Sequence, residues 1–252
     1  MIRTEARTDG PAGGPAFKEA DFRTFAKAKQ RDPLFNEERR RLKGRLKEMG
    51  LVAQKALAGA GLSLELRTSL SHPYMFNGYQ VDAMWLYLAR PAKERKALQG
   101  ILGEEFSEEL DPSYLHLVLV LSVDEHQVQW GLRINERAWW DSQNLKAKCE
   151  SRDRAAELAR FLNELDGLVM RIHDWKKDYR CGELGWGDIQ TFMKYFKPAE
   201  HRFSVLASVP KEHPLAISAE LLPKACESFV KLIPTYRFIA WTCANDFIFK
   251  KG

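Results

Sequence analysis

The stretch that decides the fold is YLHLVLVLSVDEHQVQWGLRIN, residues 114–135. Its first half, through Val123, is apolar on both faces, as a central strand is. DEHQ (124–127) reads as a turn. In the second half Val128, Trp130, Leu132 and Ile134 alternate with Gln129, Arg133 and Asn135, the period of a strand with one polar face. At ten residues and carrying His116, the apolar run is half the length of a membrane span, so no membrane association is expected.

Upstream lies a second strand pair. LSLELRTSL (62–70) places Leu62, Leu64, Leu66 and Leu70 opposite Ser63, Glu65, Arg67 and Ser69. SHPYMFNG (71–78) supplies turn chemistry through Pro73, Asn77 and Gly78. YQVDAMWLYLA (79–89) reads as the partner strand, with Trp85 and Trp130 as core residues, and Pro91 opens a helix to about Phe106.

Helical periods flank these strands. Phe17, Phe22, Phe25 and Ala28 share one face. Asn36 reads as an N-cap, and Leu42, Leu46, Met49, Ala53 and Leu57 form a stripe that stops at Gly59 and Gly61. SRDRAAELARFLNELDGLVMRIHDW (151–175) reads as one long helix capped by Ser151 and buried along Leu158, Leu162, Leu165, Val169 and Ile172. A short helix, the strand RFSVLASV (202–209) and a helical region from Ser218 follow, with Pro223 and Pro234 at helix starts or kinks. Strands in neighbouring pairs between helices predict an α+β fold: a mainly antiparallel central sheet of four to five strands flanked by N-terminal, middle and C-terminal helices. Residues 1–16, rich in Gly and Pro, read as a mobile tail, and 17–252 as a single α+β domain. Within it 175–188 reads as an internal loop, the place where a C-terminal helical subdomain would begin.

The chain of 252 residues is 45% hydrophobic and 29% charged with a net charge of +5, which excludes a disordered or collagen-like chain. Its four cysteines form no CxxC pair, and MIRTEARTDGPAGGPAFKEA has no apolar secretory core. The expectation is a cytoplasmic protein with reduced thiols, no metal and no cofactor. Walker A, GxGxxG, GxSxG and HExxH motifs are absent. His173–Asp174 resembles the metal-binding dyad of HD phosphohydrolases, but the further His and Asp on neighbouring helices that such a site needs are not there.

Three groups of residues remain as candidates. If the four central strands share a sheet, Glu65, Arg67, Asp82 and Arg133 gather on its polar face, the two arginines as anion clamps and either carboxylate as a base. The bland alternative is a solvated sheet face. The basic helix RRRLKGRLK (39–47), with Arg39, Arg40, Lys43 and Lys47, could follow phosphates electrostatically, although no aromatic residue interleaves its charges. The acidic set Glu104, Glu105, Glu108, Glu109 and Asp111 could pair with that helix instead. Trp139 and Trp140, beside a loop, suit a protein interface or self-association. With no complete catalytic motif, the reading that leads is a cytosolic binding or protein-interaction module. An enzyme acting on a small anionic or phosphoester substrate at the sheet face comes second, and nucleic-acid binding through residues 39–47 third.

Overall fold

A computed structural model describes residues 15–102 and 115–249. The tail expected over residues 1–16, the end of the helix expected to reach Phe106 and the acidic set from Glu104 to Asp111 lie wholly or mostly outside the described residues. The fold is mixed helix and strand around one antiparallel sheet, as the sequence predicts. Its strands are β1 (Glu65–Thr68), β2 (Ala83–Ala89), β3 (Val118–Asp124), β4 (Gln127–Ile134), β5 (Val169–Ile172), β6 (Tyr179–Arg180) and β7 (Phe203–Pro210). They stand in the order β1-β2-β3-β4-β7-β5-β6. The expected four to five strands are therefore seven among the described residues.

Two strands escaped the sequence reading for definable reasons. The expected helix over 151–175 is two elements, since α5 (Arg152–Asn163) ends before Gly167, whose φ of +76° no helix accommodates. Val169 and Met170 then pair with Leu206 and Val205 of β7. Their apolar spacing fits either period, and only the Asp166–Gly167 turn distinguishes them. β6 is two residues long and has no periodicity to read.

The other α-helices among the described residues are α1 (Glu19–Arg23), α2 (Asn36–Gly59), α3 (Ala92–Leu102), α4 (Trp139–Cys149), α6 (Trp186–Tyr195), α7 (Leu221–Lys231) and α8 (Ile233–Ile239). One sheet face carries Met84, Leu86, Leu88, Leu119, Leu121, Val128, Trp130, Leu132, Phe203 and Val205, all buried. Against it pack the stripe of α2 (Leu42, Leu46, Met49, Ala53, Leu57) and Phe229 of α7. Each such side chain contributes about 1.5–3 kcal/mol on burial. α2 lies close to β1 because Gly50 has no side chain; a Cβ there would meet Leu66 Cδ1 at 2.3 Å. Asn36 starts α2 but accepts from the Arg39 guanidinium at 2.7 Å rather than capping a backbone N–H.

The opposite face carries Glu65, Arg67, Trp85, Tyr87, Val118, Val120, Ser122, Gln129 and Arg133, placed side by side by the register. Glu65, Ala89, Val118, Arg133 and Ser204 form one cross-strand row; Trp85, Ser122, Gln129 and Ser208 form another. Trp85, expected in the core, belongs to this second face, where it packs beside Tyr87, Ala89 and Val118.

Candidate functional site

A cleft of about 980 Å³ lies on this second face, within the range of small-molecule sites. Its floor is β2, β3 and β4: Trp85, Tyr87, Val118, Val120, Ser122, Gln129 and Arg133. Asn135, Glu136 and Arg137 follow β4 directly, and Arg202 directly precedes β7, so both strand ends deliver charge to the same end of the cleft. Among the described residues that line this end are the guanidiniums of Arg133, Arg137 and Arg202 and the carboxylate of Glu136. Arg202 Nε lies 3.7 Å from Glu136 Oε1, and both side chains are partly exposed. The far end holds Asp82, Asp124, Asn77, Leu70 and Phe76. Asp124 is engaged there in closing the β3–β4 turn, accepting from His126 N at 2.7 Å and Gln127 N at 3.0 Å. From the Val118–Arg133 row to Asp124 the strands advance six residues, about 20 Å.

Of the four catalytic candidates, Asp82 and Arg133 line the cleft. Glu65 and Arg67 share its face but pair with each other at 3.1 Å at the β1 edge. Glu65 also accepts from Ala92 N at 3.0 Å, closing the start of α3, and from Arg95 Nη1 at 3.2 Å. That makes Glu65 a fixed acceptor, a poor base.

The binding candidates lie elsewhere. Arg39 is fully buried, donating to the carbonyls of Lys29 and Asp32 and thereby holding the turn between α1 and α2. Arg40 is exposed and paired with Glu37 at 2.9 Å; Lys43 is half-buried and Lys47 exposed. Trp139 meets Trp140 edge-on at 4.8 Å, and Trp140 packs on Trp241 at 5.0 Å, so this pair also closes the C-terminal segment.

Arg137, Arg202, Glu136, Trp85 and Ser122 are among the lining residues that the sequence does not mark as site residues. Arg202 reaches the cleft only because β7 inserts beside β4, a non-local pairing with no local signal. The loop between β1 and β2 forms an apolar rim, with Tyr74, Met75, Phe76 and Tyr79 all between 43% and 64% exposed. Asn77 holds this loop by accepting from Tyr74 N and donating to His72 O, which is turn chemistry.

No thiol is primed as a nucleophile in the core. Burial pushes Cys149 and Cys181 up to about 12, and no disulfide joins the four cysteines. Among the described residues no group of three or more His, Cys, Asp or Glu side chains is placed to hold a metal ion. None of the described helices is long and apolar enough to cross a membrane. The chain matches no protein-family model and no curated protein sequence.

Proposed function

We propose that this protein is a binding protein whose ligand, a small organic anion, lies in the cleft on the sheet face opposite the core helices. One observation carries the reading: Arg133, Arg137 and Arg202 converge at one end of a cavity of ligand size. Guanidiniums bind carboxylate and phosphate through paired, charge-assisted hydrogen bonds, so an anion is the complementary chemistry. The same face would serve an enzyme for anionic substrates, with Asp82 as the exposed carboxylate in the cleft. We also propose a cytosolic location.

Inorganic pyrophosphate is the probe that tests the anion end. Its addition is expected to raise the melting temperature of the wild-type chain and not that of Arg137→Ala/Arg202→Ala. Because Arg137 is exposed and Arg202 partly so, the double variant should keep the apo melting temperature within a few degrees. No shift in the wild type, or an undiminished shift in the variant, overturns the reading.

A second reading, contact with a protein partner, is supported by the exposed apolar rim of Tyr74, Met75, Phe76 and Tyr79. Nucleic-acid binding through residues 39–47 draws less support, because Arg39 is internal and Arg40 and Arg41 are both paired with Glu37.

A further inference from the structure

We infer that the ligand carries a flat, hydrogen-bonding ring as well as its anionic group, the chemistry of a nucleoside diphosphate; this rests on the anion reading above. The floor of the cleft has an unusual row. Trp85, Ser122 and Gln129 are direct cross-strand neighbours, one from each of three adjacent strands. Ser122 is 9% exposed, yet its hydroxyl has no hydrogen-bond partner among the described residues, and neither has the Gln129 amide or the Trp85 indole N–H.

These polar atoms are accessible from the cleft, so a ligand seated on them displaces their water and binds best when it brings donors and acceptors of its own. The Gln129 amide offers both, the Ser122 hydroxyl offers both, and the Trp85 ring supplies a surface for stacking. A purely aliphatic anion would leave all three groups unmatched. A heterocycle with polar edges satisfies them.

Spacing selects the length. Gln129 and Arg133 are four residues apart on one face of β4, about 13 Å along the strand. A nucleobase over the Trp85–Ser122–Gln129 row therefore reaches the arginine end through a ribose and two phosphates, whereas the phosphate of a monophosphate would stop short. The guanidiniums that line this end among the described residues, Arg137 and Arg202 beside Arg133, suit the paired oxygens of a diphosphate.

The test titrates ADP, GDP, UDP and CDP beside pyrophosphate and AMP, by calorimetry and by tryptophan fluorescence. At least one diphosphate is expected to bind tenfold or more tighter than both pyrophosphate and AMP, with quenching that is lost in Trp85→Phe. Ser122→Ala and Gln129→Leu should each weaken that diphosphate fivefold or more and leave pyrophosphate within twofold, which also shows that the variants are folded. If no diphosphate binds more tightly than pyrophosphate, the ring inference fails while the anion reading stands. If neither binds, both fail. A tight diphosphate that is indifferent to all three substitutions places the ring elsewhere and overturns the inference.

Discussion

Arg90 at the end of β2 and Asp141 in the first turn of α4 form a buried ion pair, Nη2 to Oδ1 at 3.5 Å, with both side chains almost fully enclosed. Asp141 also accepts from Trp241 N at 2.7 Å and from Leu117 N at 2.7 Å, while Arg90 Nη1 donates to Trp241 O at 2.9 Å. Four distant stretches of chain, at 90, 117, 141 and 241, are thus joined by one carboxylate and one guanidinium. The enclosed charge pair is supported by these backbone hydrogen bonds, although Arg90 Nε is buried with no hydrogen-bond partner among the described residues.

Removing one partner should therefore be severe. Asp141→Ala is expected to destabilise the protein by about 3–5 kcal/mol, lowering the melting temperature by roughly 10 °C. Calorimetry measures this directly; a loss below about 1 kcal/mol would mean that the network does not hold these segments together.

His116 packs against the same pair, its Nδ1 3.8 Å from Asp141 Oδ2. Burial, with Arg90 and Arg95 nearby, depresses the imidazole to about 4 despite the opposing pull of Asp141. In the unfolded chain the ordinary value is about 6.5. Between these values the unfolded chain binds a proton that the native state refuses, so stability is complete above about pH 6.5 and declines as pH falls towards 4. The decline attributable to His116 is about 3 kcal/mol. Denaturant unfolding of the wild type and His116→Gln across pH 4–7 checks it, and equal slopes would remove His116 as the cause.

Gly131 occupies the middle of β4 with φ of +147°, and a Cβ there would lie 2.1 Å from the Val205 carbonyl oxygen. That oxygen belongs to the adjacent strand β7 and cannot give way without breaking the ladder. Gly131→Ala should cost about 1–3 kcal/mol, whereas Gly44→Ala on the surface of α2, where nothing lies within 4 Å, should gain a few tenths to about 1 kcal/mol. Paired urea denaturation curves separate the two.

Arg39 and Arg40 are adjacent and chemically identical, yet opposite in role. Arg39→Ala strips partners from Asn36, Lys29 O and Asp32 O and should cost about 2–4 kcal/mol. Arg40→Ala removes an exposed pair and should stay within about 0.5 kcal/mol. Any loss of polyanion binding should be read from Arg40, Lys43 and Lys47, since Arg39→Ala acts on stability.

Much of the sheet was legible because it is written in alternation. Val128, Trp130, Leu132 and Ile134 face the core as their period requires, and Gln129 and Arg133 face away. Trp85 was misplaced because β2 is hydrophobic on both faces, which removes the contrast that assigns a face. The β1 and β2 strands, Glu65–Thr68 and Ala83–Ala89, are also shorter than the runs 62–70 and 79–89 read as strands.

Local sequence, through periodicity and turn chemistry, determined that this chain builds an antiparallel sheet with one apolar face and helices packed on it. Those signals act over a few residues and need no partner to be read. Tertiary structure alone decided that β7 inserts between β4 and β5, that Arg202 joins Arg133 and Arg137 at one end of a cleft, and that Arg90 finds Asp141. The reason is physical: strand pairing across some seventy residues and the matching of buried charge depend on what lies beside a residue in space, which no window of sequence contains.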